Sequence, residues 1–218
     1  VKENSTMTLR LYFSPLSCSL AASIVAAEAG VAVERIQVNL RTKRLKADGA
    51  DYRVVTPKAQ VPALALEDGT VLTEVSAVLL HLADRAPESG LAPREGTIAR
   101  YQVIEALSFI GSELHKHAFY PLFAPDMPPE AKTFAQETAL PRKLAQVESQ
   151  LGGRAFLVGE SFTVADAYLA TVLNWTRFAP VPLEPFPALR TYLAHQLARP
   201  KVAACVEADS ALFATRTS

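Results

Sequence analysis

Two cysteines, four histidines and one tryptophan in 218 residues leave few side chains for covalent or metal chemistry. Two cysteines far apart cannot build a disulfide framework, which points to a reducing compartment, the cytoplasm. Four histidines without clustered carboxylates argue against a metal site. Neither sign of charge is in excess: 22 basic residues meet 22 acidic ones, for a formal net charge of +0. No electrostatic case for a nucleic-acid or membrane partner follows. No apolar run is long enough to span a bilayer, and no secretory core segment is present. Residues 1–6, VKENST, are polar and precede Met7. They are set aside as a remnant or an alternative start.

Hydrophobic residues make up 50% and charged residues 20%, ordinary for a soluble globular protein with one or two cores. "TLRLYF" (8–13) alternates like a short strand and is closed by Ser14-Pro15. "SCSLAASIVAAEAG" (17–30) reads as a helix, with Ser17 as its N-cap and Gly30 as its stop. "VAVERIQVNL" (31–40) is a second strand, so β-α-β with parallel pairing is expected. A polar loop follows. Residues 61–74 read as a hairpin turning at Asp68-Gly69, and 74–86 as a helix. "PESGLAPREG" (87–96) reads as a linker. Beyond it only helices are expected, over 97–119, 128–151, 162–179, 188–198 and 200–214, with Pro141 kinking or dividing the second. The fold class is α/β plus all-α: a βαβ-ββα domain over 7–86 and an all-helical domain over 94–218.

Three motifs, "SPLSCSLA", "TPKAQVPAL" (56–64) and "LTEVSAVLLHLAD" (72–84), give this chain a resemblance to a known family. With "ELHK" (113–116) and "FTVADAYL" (162–169) in the same order, the chain resembles the cytosolic glutathione transferases, most closely their bacterial beta class. The resemblance covers nearly everything from Met7 onward. It implies a thioredoxin-like first domain that binds glutathione as co-substrate, and a helical domain that supplies the site for a small apolar electrophile. It also implies a cytoplasmic homodimer that conjugates the glutathione thiol, with no metal, nucleic acid or membrane. Two rival functions are carried: a glutathione-dependent thiol-disulfide reductase working through a Cys18 mixed disulfide, and a non-catalytic assembly module.

Cys18 carries the chemistry in this reading. At a helix start it would face free N–H groups and the positive end of the helix dipole, which lower a thiol pKa. The hydroxyls of Ser17 and Ser19 are expected to donate to a ligand's sulfur. Pro15 and Ala21 stand three residues either side of Cys18, which excludes an intramolecular dithiol. Phe13 stands where the family often has tyrosine, so more weight falls on Cys18. The resemblance implies that Val61, before a cis Pro62, offers its backbone to the cysteinyl part of glutathione, with Gln60 beside it. The γ-glutamyl carboxylate would dock on the helix start at Val75 and Ser76, and Glu74 would pair with the ligand's ammonium. Here the chain departs from its family, which has serine directly after the glutamate. Lys43 is matched by position to the glycyl carboxylate.

In the helical domain, Ser108, Gly111, Ser112 and His115 fall on one helix face. Ser108 is assigned to glutathione and His115 to catalysis. Phe109, Phe119, Tyr120, Phe123 and Trp175 are the aromatics expected to serve the electrophile pocket or the core. Cys205 is read as core. Thr163 and Asp166 form a capping box read as structural.

Overall fold

The computed structural model describes residues 8–215. The segment set aside before Met7, Met7 itself and the last three residues lie outside that range. Strand β1 (Leu9–Phe13) buries Leu9 and Leu11 on one face of the sheet and Tyr12 on the other, as the strand period requires. Helix α1 (Leu20–Ala29) is almost wholly apolar and almost wholly buried, and Gly30 stops it at φ 70°, a left-handed position that favours glycine. Strand β2 (Val33–Asn39) pairs parallel with β1, Leu9 opposite Val33. The expected crossover is therefore present.

The loop after β2 contains more than expected. Asn39 turns the chain by accepting from the backbone N–H groups of Arg41 and Thr42, and a two-residue strand β3 (Arg44–Leu45) folds back on β2. A single 3-10 turn, Tyr52–Val54, follows. Neither leaves a hydrophobic period in the sequence. Strands β4 (Ala63–Ala65) and β5 (Val71–Thr73) form the hairpin, with Gly69 at φ 86° in its loop. The sheet order is β3-β2-β1-β4-β5, and helix α2 (Val75–Asp84) returns across it.

Helix α3 (Ile98–Phe109) opens behind the Thr97 cap, and Arg100 fastens it to α2 through two bonds to the Asp84 carboxylate, 2.8 and 2.7 Å. It runs on without a break into a π-helical segment, Ile110–Phe119, and a short α4 (Tyr120–Phe123). The run over 128–151 stays helical from Pro129 onward, and the division expected at Pro141 appears only as a wider π turn just before the proline. Helix α5 (Pro129–Phe134) passes through a π turn, Ala135–Ala139, into α6 (Leu140–Leu151), which carries Pro141 in its first turn. Helix α7 (Val164–Leu173) is the buried axis, capped by the Thr163–Asp166 box and prolonged by a 3-10 turn, Asn174–Arg177. Helices α8 (Pro187–Leu197) and α9 (Pro200–Ala214) complete the domain.

One apolar core runs through both halves, from Leu11 and Ile24 to Leu169 and Trp175. A smaller one, built on Tyr12, Val38, Tyr52, Ala59, Val61 and Ala63, fills the other face of the sheet. Cys205 is half-buried and packs against the larger core.

Candidate active site

The turn between β1 and α1 carries Cys18. Ser17 donates its N–H to Ser14 O (3.1 Å), Leu20 to Ser17 O (3.0 Å) and Ala21 to Cys18 O (3.3 Å), a chain of three-residue turns rather than α-helix. The Ser17 hydroxyl donates to Ser14 O (2.8 Å), the Ser14 N–H donates to the Ser19 hydroxyl (3.0 Å), and the two serine hydroxyls lie 2.8 Å apart. Serine side chains that bond to nearby backbone compete with helix in this way. The helix therefore starts at Leu20, not behind Ser17, and Cys18 precedes its first turn.

Cys18 is 9% exposed and donates its thiol to Val61 O at 3.1 Å. Burial pushes the thiol up to about 11, against the pull of Lys116 and of the N–H groups of Cys18 and Ser19. The expected lowering is thus reversed: loss of water disfavours the thiolate more than the nearby N–H groups and cation favour it. The helical domain clamps the turn one step earlier. Leu16, at φ 56°, gives its N–H to Asp209 (2.8 Å) and its carbonyl to the Trp175 indole N–H (2.9 Å). Asp209 also pairs with Arg35, whose guanidinium lies 3.9 Å over the Phe13 ring.

A cavity of ≈ 410 Å³ opens beside the thiol. Of the residues expected at the site, it brings together Cys18, Gln60, Val61, Pro62, Glu74, Val75, Ser76 and His115. The Val61–Pro62 peptide is cis. Glu74 precedes α2 at φ 71°, and its exposed carboxylate pairs with Lys58 at 2.7 Å.

Two expected residues are not part of this wall. Lys43 donates its ammonium to Ala59 O (3.1 Å), so its charge serves the protein backbone. Ser108 is exposed and bonds back to Ile104 O (2.8 Å). The assumed α-helical face stops at Phe109, and the wider π turn beyond it presents Gly111, Ser112, His115 and Lys116 to the cavity without Ser108.

His115 is 7% exposed, shares a 2.7 Å hydrogen bond through Nδ1 with the Tyr168 hydroxyl, and lies edge-on to Trp175. Burial, then the Lys116 charge, lowers its pKa from the ordinary 6.5 to about 3. The fold holds the neutral ring, so as pH falls the unfolded chain takes the proton first. Its contribution to stability is complete above the ordinary value and is lost as pH falls towards about 3. Denaturant unfolding at about pH 7 and about pH 4 is expected to show a smaller acid loss in His115→Phe than in the parent. Equal losses would mean that the parent ring titrates normally.

A second cavity, ≈ 460 Å³, shares Cys18, Gln60, Val61, His115 and Lys116 with the first and is otherwise largely apolar. Tyr120, Phe123 and Trp175 line it, together with Phe178 and Phe213, which no sequence motif marks. Phe119 is core, and Phe109 faces a separate ≈ 470 Å³ cavity between α3 and α6. Lys58, Lys116 and Tyr168 were also missed. All three lie inside or beside quoted motifs, in "TPKAQVPAL", after His115, and in "FTVADAYL", so motif membership was the available signal. Among the described residues no three His, Cys, Asp or Glu side chains gather as metal ligands, and no helix is long and apolar enough to cross a membrane.

The family model for the glutathione S-transferase N-terminal domain matches residues 17–85, and that for the C-terminal domain matches 112–200. Glutathione S-transferase GstA of Escherichia coli O157:H7 is 40% identical over 92% of this chain and 98% of its own. A sphingomonad glutathione S-transferase solved in complex with glutathione is 42% identical, with a TM-score of 0.87 over 92% of this chain and 98% of that one. A beta-class enzyme from Sphingomonas chungbukensis is 40% identical, with a TM-score of 0.88 over the same shares.

Proposed function

From the premise that this chain belongs to the glutathione S-transferase family and is an enzyme of that kind, we propose how its cleft divides the work. Glutathione, the co-substrate, takes the cavity bounded by Val61 and α2, and an apolar electrophile takes the aromatic one. One observation carries this reading: among the described residues, the two cavities meet at Cys18, Gln60, Val61, His115 and Lys116. A thiol delivered to that junction lies against whatever the aromatic walls hold, so the reaction gains chiefly from proximity.

The Val61 backbone pairs with the cysteinyl amide as a one-residue strand addition. The N–H groups at Val75 and Ser76 take the γ-glutamyl carboxylate at the positive end of α2, and Glu74 takes the ammonium. Cys18, kept protonated by burial, turns its single S–H from Val61 O to the glutathione thiolate when the ligand binds, and the Lys116 charge stabilises that thiolate. His115, held neutral against Tyr168, completes the polar wall. The protein works as a cytoplasmic homodimer; light scattering that returns a monomer at micromolar concentration would count against the dimer.

Two assays test the reading together. Conjugation of an aryl halide is expected to proceed faster than reduction of a glutathione mixed disulfide. The reverse order, with a stable glutathione adduct on Cys18, would establish a thiol reductase, and no glutathione binding at all would leave an assembly module.

Glu74→Ala is expected to weaken glutathione binding by about 1.5–3 kcal/mol, the worth of a hydrogen bond to a charged group. Release of Lys58 from its pair with Glu74 places the loss at the lower end. Unchanged affinity in calorimetry would reduce Glu74 to a charge at a helix start.

A further inference from the structure

We propose that Tyr52 is a positioning residue for the glutathione-binding edge, acting with Lys43 through the backbone of residues 59–61; the inference rests on the glutathione reading above. Three consecutive carbonyls each accept from a different side chain. Ala59 O takes the Lys43 ammonium (3.1 Å), Gln60 O takes the Tyr52 hydroxyl (2.9 Å), and Val61 O takes the Cys18 thiol (3.1 Å). Gln60 and Val61 are also the only two members of the strip that line both cavities. Tyr52 and Lys43 line neither, so their contact with the ligand runs through this backbone.

The strip needs holding. Ala59 sits at φ 48°, a left-handed conformation that a residue with a Cβ adopts only when its surroundings impose it. No strand ladder covers this stretch, because β4 begins only at Ala63. The two donors are themselves tied together: Tyr52 gives its N–H to Lys43 O at 2.9 Å. Tyr52 is fully buried in the smaller core with Ala59 and Val61, its ring 5.4 Å from that of Tyr12. Its hydroxyl therefore has a fixed origin from which to set the Gln60 carbonyl. A backbone edge that must match a ligand's amide tolerates displacement of only about 0.5 Å.

The test uses Tyr52→Phe, which removes one hydroxyl and keeps the ring, and Lys43→Met, which removes the charge and keeps the stem. Glutathione, γ-glutamylcysteine and an aryl halide are the probes, read by calorimetry and steady-state kinetics. Tyr52→Phe is expected to raise the Kd and KM for glutathione about 3- to 10-fold, with kcat unchanged and a smaller rise in the aryl-halide KM. Both variants should weaken glutathione and γ-glutamylcysteine by the same factor, since neither side chain reads the glycyl carboxylate. The double variant should lose less than the product of the single losses, because both act through one strip. Unchanged glutathione affinity in Tyr52→Phe overturns the proposal, as does an equal rise in both KM values together with a fall in Tm, the signature of a merely structural tyrosine. A Lys43→Met loss confined to glutathione overturns the shared mechanism and makes Lys43 a direct ligand of the glycyl carboxylate. If the parent protein binds neither thiol peptide, the functional reading itself has failed.

Discussion

Asp166→Ala is expected to leave the chain unable to hold its fold under ordinary conditions. Asp166 is fully buried, and its carboxylate accepts four hydrogen bonds. One oxygen takes the Leu157 N–H (2.7 Å) and the Tyr192 hydroxyl (2.8 Å); the other takes the Thr163 N–H and hydroxyl, both 2.9 Å. It thereby caps α7, ties down the loop before it and anchors α8. Alanine removes the acceptor and strands four donors around a buried position. Each stranded donor costs about 1–3 kcal/mol, and partial relaxation leaves a total of roughly 3–5 kcal/mol. A domain at the lower end of the usual range, about 5 kcal/mol, has little left after that. Denaturant unfolding of the variant, or its failure to accumulate as folded protein, provides the measurement. A variant within about 1 kcal/mol of the parent would show that the capping network is dispensable.

The second large effect concerns Cys18. In a Cys205→Ala background, alkylation is expected to follow an apparent pKa of about 11, against 9.0 for an ordinary thiol on the same scale. At neutral pH the thiolate fraction, and with it the rate, is then about 100-fold below that of an unperturbed thiol. The cause is burial between the β1–α1 turn and the Val61 carbonyl, offset in part by Lys116. Lys116→Met should therefore slow alkylation further. The same shift has a stability sign: the fold favours the protonated thiol, so this contribution is complete below the ordinary value and is lost as pH rises towards about 11. An apparent pKa below the ordinary one would restore the activated-thiolate reading and with it the reductase. A Cys18 that stays protonated suits a hydrogen-bond donor to a glutathione thiolate, because two thiolates in contact would repel.

The features legible in the sequence are those whose cause is local. Gly30 stops α1, Asp68-Gly69 turns the hairpin, and Thr163 and Asp166 box the start of α7, each through bonds a few residues long. The two-part layout was legible because hydrophobic period changes from strand-like to helical across 87–96. Through the family motifs, so was the grouping of Cys18, Val61 and Glu74, which the fold gathers on one cavity.

What only the tertiary structure decided depends on burial and on partners far along the chain. Cys18 has the neighbours of an activated thiol in sequence, yet its titration is governed by packing against Val61, 43 residues on, and the loss of water that follows. Ser108 lies off the cavity that Lys116 lines because the α-helical period ends at Phe109 and a π segment follows. Lys43 was placed by its position in the loop alone, whereas in the folded chain its ammonium lies on the carbonyl of Ala59. Sequence by itself determined which groups are present and in what order along the backbone. Tertiary structure decided which of them keep water and which spend their hydrogen bonds on the protein, because desolvation and distant carbonyls enter the energy only when the chain is closed.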